Sequence, residues 1–260
     1  MNKLTLLLAF SVAAAASGAT EAPQGSFLIR YKTSTDQVSY KVRTIDRISD
    51  QPEGGETDWT ITQLDQVLTQ EILKGAEPGW LRVEGAVVAE QTYAPRHEKD
   101  APPKLTEPRP YKYAMNERGG YRDLPDISDA TIVMRPKLPE TAVAPGFKWT
   151  TERPVAPGLG YSVTVNHEFL EVKIEQGMPC AVIVSTAETK QGLPAGDQVA
   201  FKGNARTEVS LTDGQLVHFD GFTSLALKST PAGETAPKVL RRETVYTALR
   251  EAPGTAPEGR

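Results

Sequence analysis

Hydrophobic and polar residues alternate along most of the chain, and this pattern predicts β-strands. The alternation is strict over residues 161–169 and 199–211, and polar residues separate Val38, Tyr40 and Val42 in the same way. A period of two places the hydrophobic side chains on one face of a half-buried strand. Further strands are predicted at residues 27–31, 37–48, 80–93, 170–175, 180–189, 215–219, 222–228 and 239–249, with a short edge strand at 111–115.

One segment, residues 59–73, fits two kinds of element. Leu64, Leu68 and Ile72 are four residues apart, which suits one stripe of a helix as well as one face of a strand. The threonines of this segment favour the strand, because β-branched residues are enriched in strands. Glycine, proline and short polar residues predict turns between the strands at 33–36, 52–56, 77–79, 119–120, 176–177 and 213–214.

The predicted fold class is all-β, with one or two strongly curved antiparallel sheets, half-barrel or open-barrel-like, and little helix in the mature chain. Six prolines fall within residues 94–126, and proline removes the backbone donor that an interior strand needs. Residues 94–110 are therefore expected to form an exposed loop. The predicted organisation is a signal peptide at 1–19, a first antiparallel β unit at 20–93, a Pro-rich loop or linker at 94–126, a second antiparallel β unit packed with the first at 127–250, and a disordered tail at 251–260.

The amino terminus has the composition of an export signal. Lys3 supplies a positive charge, residues 4–16 are apolar apart from Thr5 and Ser11, and small residues follow up to Ala19. The apolar run is shorter than the ~20 residues that span a bilayer. We therefore predict a signal peptide cleaved near Ala19 and a periplasmic or secreted mature protein with no membrane span.

Composition and charge narrow the class of protein. The chain is 39% hydrophobic and 24% charged, as soluble folded domains are, and its net charge of -4 argues against nucleic acid as a partner. Its one cysteine, Cys180, cannot form an internal disulfide. Because Cys180 lies in an apolar strand, we predict a buried and unreactive thiol.

The sequence contains no recognisable catalytic motif, so it assigns no catalytic, cofactor-binding or metal-ligating residue and implies no cofactor. The three histidines, His97, His167 and His218, are far apart in the chain, and His97 falls in the Pro-rich loop. His167 and His218 could still meet across neighbouring strands, with Asp220 nearby. Such a group would be short of the three or four ligands that a transition metal usually takes.

Several charged pairs have simple structural interpretations. The pairs Asp123/Asp126 and Glu168/Glu171 have the composition of an acid/base dyad, but solvated strand faces and loops explain them better. Arg241–Arg242 is interpreted as the charge of an edge strand rather than as an anion site.

Aromatic residues occur at strand positions along the whole chain, which fits either a filled core or an apolar groove on a curved sheet. The tetrapeptide Val-Ala-Pro-Gly occurs at 143–146 and again at 155–158, and it suits a type II turn. Trp149 follows the first of these turns by three residues. We predict that Trp149 is largely buried and seals a sheet edge.

Short motifs along residues 27–227 resemble a group of exported bacterial proteins of unknown function that are built of long antiparallel strands. The motifs are Phe27-Leu-Ile-Arg-Tyr-Lys32, Val143-Ala-Pro-Gly-Phe-Lys-Trp149, Tyr161-Ser-Val-Thr-Val165, Gly177-Met-Pro-Cys-Ala-Val-Ile183 and Asp213-Gly-Gln-Leu-Val217. The architecture is more loosely similar to the curved half-barrels of lipoprotein carriers such as LolA and LolB. The resemblance implies a fold and a compartment, and it assigns no functional residue.

Three functions follow as hypotheses. The first is a non-catalytic cell-envelope module that binds a partner protein or a wall component. The second is a carrier or sensor of an apolar, lipid-like ligand, and the third is a hydrolase with a site that no motif reveals. A large apolar concavity would favour the carrier, and a filled core would favour the binding module.

Overall fold

The computed structural model describes residues 25–55, 58–93, 107–122, 133–156, 161–192, 198–230 and 236–252. Strands account for 73% of these residues and helix for 1%, which confirms the all-β prediction. The strands are β1 Ser34–Pro52, β2 Thr60–Lys74, β3 Trp80–Tyr93, β4 Arg109–Asn116, β5 Tyr121–Arg122, β6 Lys148–Ala156, β7 Tyr161–Glu175, β8 Met178–Gly192, β9 Gln198–Ser210, β10 Leu216–Ser229 and β11 Lys238–Arg250.

All of these strands belong to one antiparallel sheet, in the order β5-β4-β3-β2-β1-β11-β10-β9-β8-β7-β6. Neighbours in the sheet are neighbours in the chain except where β1 pairs with β11. The edge strands β5 and β6 are not paired with each other, so the sheet is open. The ambiguous segment 59–73 is strand β2, as its threonines predicted.

The sheet curves around its core, which lies on one face. A central cluster contains Tyr40, Phe201 and Phe219. A second cluster packs Leu81 of β3 with Ile183 of β8, although five strands lie between them in the sheet order. Only a strongly curved sheet brings such distant strands together, and we call the face that carries both clusters the concave face.

Two irregular segments fill the space between the open edges. The inner segment, residues 133–143, links the two edges of the sheet, and its Met134 and Leu138 are completely buried. Gly203 of β9 makes room for it, because an added Cβ there would lie 2.6 Å from the sulfur of Met134. The inner segment therefore packs against the middle of the sheet.

The amino-terminal segment, residues 25–33, was predicted to contain a strand at 27–31, and that prediction is wrong. Phe27 exchanges two backbone hydrogen bonds with Val143 of the inner segment, 2.8 and 2.9 Å long, whereas the amide of Tyr31 donates to Glu117 in the β4–β5 turn. The segment thus crosses the strand ends and changes partner along its length. Its hydrophobic alternation reflects burial between these partners, because Ile29 and Tyr31 are both buried.

The clearest predicted strand, β7, contains a bulge that the alternation did not reveal. Residues 161–169 alternate between buried and exposed as predicted. The register to β8 then shifts between Phe169 and Glu171. Phe169 and Val172 are consequently both buried while Leu170 is 39% exposed. The bulge adds one residue to β7, so the hydrophobic side chains that follow it stay on the buried face.

The predicted turns are mostly confirmed, with small differences at two places. Gln176 and Gly177 both have positive φ, at 50° and 75°, as a tight hairpin turn requires. Strand β1 begins at Ser34, inside the predicted turn 33–36, with a register shift between Ser34 and Val38. Strand β4 begins at Arg109, whereas the predicted edge strand began after Pro110. Pro110 fits in this strand because its missing amide donor can face the side on which β4 has no partner strand at this point.

Several predictions lie outside the described residues. These are the signal peptide at 1–19, residues 94–106 of the Pro-rich loop, and residues 253–260 of the tail. Within the described residues, no helix has the length and apolar character needed to cross a membrane.

Candidate functional site

A small cavity lies on the concave face, between strands β1, β2, β4, β5 and β11 and the inner segment. Its volume is about 40 Å³. Five tyrosines, one arginine and two glutamines supply its polar lining, and the rest is aliphatic or methionine. The lining residues are Tyr31, Tyr40, Val42, Leu68, Gln70, Ile72, Tyr113, Met115, Tyr121, Arg135, Gln215, Leu216, Tyr246 and Ala248. We call this site the tyrosine cavity.

Strand alternation explains why these side chains converge. Tyr40 and Val42 occupy successive inward positions of β1, and Tyr246 and Ala248 do so in β11. Tyr40 pairs in register with Leu68 of β2, which places another cavity residue directly across the ladder. Most of the cavity lining therefore comes from regular strand positions, which hold their side chains more rigidly than loops do, whereas Tyr31, Arg135 and Gln215 come from irregular segments.

Arg135 gives the tyrosine cavity a positive charge. Arg135 directly follows Val133 and Met134 of the inner segment, which are 2% and 0% exposed. The burial of these two neighbours fixes the backbone position of Arg135. Its guanidinium carbon lies 5.8 Å from the centre of the Phe219 ring, and its Nε is buried without a hydrogen-bond partner. Burial opposes the charge of Arg135, but the guanidinium keeps its proton, as arginine does in proteins.

The tyrosines of the cavity present neutral hydroxyl groups. Burial raises the pKa of Tyr31, Tyr40 and Tyr113 well above that of an exposed phenol, so these groups stay protonated at neutral pH. The amide nitrogen of Gln70 lies 3.5 Å from the hydroxyl oxygen of Tyr40. The cavity thus combines one fixed cation with hydroxyl groups that can donate hydrogen bonds.

A second arginine, Arg153 of β6, lies beside Arg135. Its Nη2 donates to the backbone oxygen of Arg135 at 3.1 Å and to that of Gly119 at 3.4 Å, while its Nε is buried without a partner. Burial lowers the pKa of Arg153, and Tyr121 and Tyr31 oppose this effect. Neither arginine forms an ion pair with a carboxylate in the part of the chain that the structure describes.

His167 and His218, which the sequence left free to meet across neighbouring strands, do not meet. His167 is on β7 and His218 on β10, with β8 and β9 between them. Strands spaced by about 4.8 Å therefore separate the two histidines by three ladder steps. Among the described residues, no group of three or more histidine, cysteine or acidic side chains has the arrangement of a metal site.

His167 is part of a buried chain of hydroxyl groups. Its Nδ1 and Nε2 lie 2.8 Å from Ser185 Oγ and Thr151 Oγ1, respectively. Burial, assisted by the charge of Arg153, lowers the pKa of His167 to about 4. The ring is therefore neutral at physiological pH and has the partners of a structural core residue.

Trp149 lies at the β6 edge of the concave face, as predicted, but it is half-buried rather than largely buried. Its indole nitrogen donates to the backbone oxygen of Lys137 at 2.8 Å, and its ring centre is 5.2 Å from that of His167. Phe147, which is 42% exposed, stacks on its other side at 5.9 Å. Trp149 thus connects the edge strand to the inner segment.

The turn predicted before Trp149 is confirmed, since the amide of Phe147 donates to the backbone oxygen of Ala144 across Pro145–Gly146.

His218 belongs to an ionic network on the opposite face of the sheet. Its Nε2 lies 2.9 Å from Asp220 and its Nδ1 lies 3.8 Å from Glu208, which is 1% exposed. Glu208 also pairs with Lys173 at 2.7 Å and with Arg206 at 3.0 Å. The carboxylates of Asp220 and Glu208, with Asp220 in closer contact, raise the pKa of His218 to about 9, so it is charged at neutral pH.

This raised pKa predicts a pH-dependent stability. The charged form of His218 stabilises the fold fully below pH 6.5, the ordinary histidine pKa, and this contribution is lost as pH rises from there to about 9. We expect the free energy of unfolding to fall by about 2–3 kcal/mol over that interval. Urea titrations of the parent protein and of His218→Gln at pH 6 and pH 9 measure it. The variant should show a much flatter dependence, and equal slopes would contradict the assignment.

The other charged candidates have structural roles. Glu168 pairs with Lys148 at 3.2 Å, and Glu171 lies 3.7 Å from Arg206, so the two glutamates do not form a dyad. Asp123, Asp126 and His97 lie outside the described residues.

Arg241–Arg242 was predicted to charge an edge strand, and this is wrong, because β11 lies at the centre of the sheet between β1 and β10. Arg242 instead contacts the carboxylate of Asp46 on β1 with two nitrogens, at 3.3 and 3.0 Å. The predicted burial of Cys180 is confirmed, and burial raises the pKa of this thiol to about 11.

Sequence reasoning missed Arg135 altogether. The residue lies in a stretch without strand periodicity, and the cavity tyrosines come from distant parts of the chain. One local signal was present, because Arg135 directly follows the apolar residues Ile132, Val133 and Met134 in an otherwise polar connection. A charge placed next to an apolar run in a connection indicates that the connection is buried.

Comparison of the chain with models of known protein families and with curated proteins gave no match.

Proposed function

We propose that this protein is an exported, non-catalytic binding protein of the cell envelope, with its ligand site in the tyrosine cavity. The observation that carries the proposal is Arg135, a permanent cation that lines a cavity and whose Nε has no hydrogen-bond partner among the described residues. A charge held partly out of water without a counter-charge costs free energy, and the cost rises with burial. A bound ligand would offset that cost, as ligands commonly do in preformed sites.

The size of the cavity favours a small ligand over a lipid-like one. Pockets for drug-sized ligands enclose roughly 300–1,000 Å³. The tyrosine cavity encloses about 40 Å³, because the two core clusters and the inner segment occupy most of the concave face. This filling supports the binding module over the carrier of an apolar ligand.

The surroundings of His167 and His218 support a hydrolase less than the tyrosine cavity supports a binding protein. A histidine base normally needs both a nucleophile and an orienting group within hydrogen-bond reach. His167 has hydroxyl partners on both nitrogens, and the partners of His218 belong to an ionic network of the opposite face. Neither histidine lines the tyrosine cavity.

A cavity-filling variant tests the proposed site. Leu68 lines the tyrosine cavity, so Leu68→Trp should occupy it, whereas Leu73→Trp alters the opposite face of the same strand. We expect native mass spectrometry, after incubation with the low-molecular-mass filtrate of an envelope extract, to show a one-to-one small-molecule adduct on the parent protein and on Leu73→Trp. The adduct should be absent from Leu68→Trp. An adduct on all three proteins, or on none, would contradict the proposal.

Export is the second part of the proposal, and its support is the amino-terminal pattern of the sequence. The mass of the protein recovered from the cell envelope tests it directly. A first residue close to Thr20 is expected, and recovery of envelope protein with Met1 intact would refute cleavage.

A further inference from the structure

Two adjacent, half-buried arginines without carboxylate partners are the most unusual electrostatic feature of the described chain. Arg135 and Arg153 are linked by a 3.1 Å hydrogen bond from the Nη2 of Arg153 to the backbone oxygen of Arg135, and the Nε of each is buried without a partner. Tyr121 and Tyr31 interact electrostatically with both arginines. By contrast, Arg242 and Arg250 each contact a carboxylate.

The two arginines differ in what they offer to a ligand. Arg153 donates to two backbone oxygens and is not part of the cavity lining. Arg135 lines the cavity, so one net positive charge faces the enclosed space. Arginine does not lose its proton in proteins, and the cation therefore calls for a counter-ion rather than for neutralisation. One accessible cation is matched by an anion of single charge.

The size and the lining restrict this anion further. The cavity is partly open to solvent, and its interior of about 40 Å³ accommodates about three water molecules, which corresponds to three to five non-hydrogen atoms of an anion. Aliphatic side chains, among them Val42, Leu68 and Ile72, alternate with the polar groups in its lining. A short hydrocarbon chain fits such a wall, whereas a doubly charged phosphate would lose its hydration there without a second accessible cation.

From these observations we propose that the tyrosine cavity binds a short-chain monocarboxylate, such as acetate or propionate, with its carboxylate on Arg135. The planar guanidinium matches a carboxylate with two parallel hydrogen bonds, and tyrosine hydroxyls such as that of Tyr121 can donate to the remaining lone pairs. The hydrocarbon end then lies against Leu68 and its neighbours. This assignment deepens the proposed function and rests on it.

Titration of the full exported protein with ¹³C-carboxyl-labelled acetate and propionate, followed by NMR and calorimetry, tests the assignment. Acetamide is the neutral isostere, and chloride and phosphate are the competing anions. Arg135→Gln removes the cation, and the matched control Arg82→Gln alters an arginine whose side chain is 56% exposed. Tyr121→Phe removes one hydroxyl near the short edge strand β5, and it serves if Arg135→Gln does not fold.

We expect one carboxylate to bind per protein, with at least about tenfold weaker binding in Arg135→Gln and roughly fivefold weaker binding in Tyr121→Phe. Arg82→Gln should bind as the parent does, and acetamide should bind at least about tenfold more weakly than acetate. Equal binding of acetamide, unchanged binding in both Arg135→Gln and Tyr121→Phe, a preference for phosphate or chloride, or no carboxylate binding at millimolar concentration would overturn the assignment. A neutral adduct that Leu68→Trp abolishes would refute the carboxylate alone and leave the binding function intact.

Discussion

Phe169→Ala is expected to lower the free energy of unfolding by about 3–5 kcal/mol, the usual cost of removing a buried aromatic ring. Phe169 is completely buried, and its ring packs edge to face on Phe27 at 6.2 Å. Its backbone accepts a hydrogen bond from Gly146 and donates one to Phe147. The residue therefore joins β7 to both the amino-terminal segment and the turn that precedes β6. Urea denaturation followed by tryptophan fluorescence measures the loss.

The neighbouring residue provides the control for this experiment. Leu170 is 39% exposed because the bulge in β7 turns it away from the core. We expect Leu170→Ala to change the free energy of unfolding by less than about 1 kcal/mol. Similar losses in the two variants would show that the bulge is misplaced by one residue.

The second large effect is expected for Gly214→Ala. Gly214 has φ of 68°, in the left-handed region, where a non-glycine residue costs about 1 kcal/mol. An added Cβ would also overlap the backbone oxygen of Arg30 and lie 2.9 Å from the backbone nitrogen of Lys32. Backbone atoms cannot rotate away as a side chain does. We therefore expect a total loss of about 2–4 kcal/mol by urea denaturation, with faster proteolysis of the amino-terminal segment.

Gly146→Ala separates the two contributions. Gly146 has φ of 90°, but an added Cβ would meet no atom within 4 Å. Only the conformational cost of about 1 kcal/mol should appear in this variant. If Gly214→Ala were no more destabilising than Gly146→Ala, the amino-terminal segment would not pack against the β9–β10 turn.

Local patterns predicted the elements of this fold, and contacts between distant residues determined the rest. The alternation in β7 and the turn at Gln176–Gly177 are properties of a few consecutive residues, so the sequence predicts them well. The pairing of β1 with β11 depends on no local signal, and the interpretation of Arg241–Arg242 as an edge charge failed for this reason. An alternating pattern indicates that one face of a strand is buried, but it does not indicate which other strand pairs with it.

The candidate site illustrates the same distinction. Tyr40 was visible in the sequence as a strand aromatic on the buried face of an alternating segment, whereas Tyr121 fell in the predicted Pro-rich loop or linker at 94–126. Their convergence on one point requires the curvature of the whole sheet. Arg135 was not identified because the inner segment has no period, and its position follows from the packing of Met134 against Gly203.

The pairing of β1 with β11 has a consequence for the order in which the protein folds. Asp46 and Arg242 lie side by side on these strands although 196 residues separate them in the chain. During synthesis β1 emerges long before β11, so one of its edges has no partner until nearly the whole described chain has been made. Pairing over such a separation makes folding slow and leaves an aggregation-prone strand edge exposed. Completion of this sheet therefore depends on the last strand, and a chain released early would hold two unconnected half-sheets.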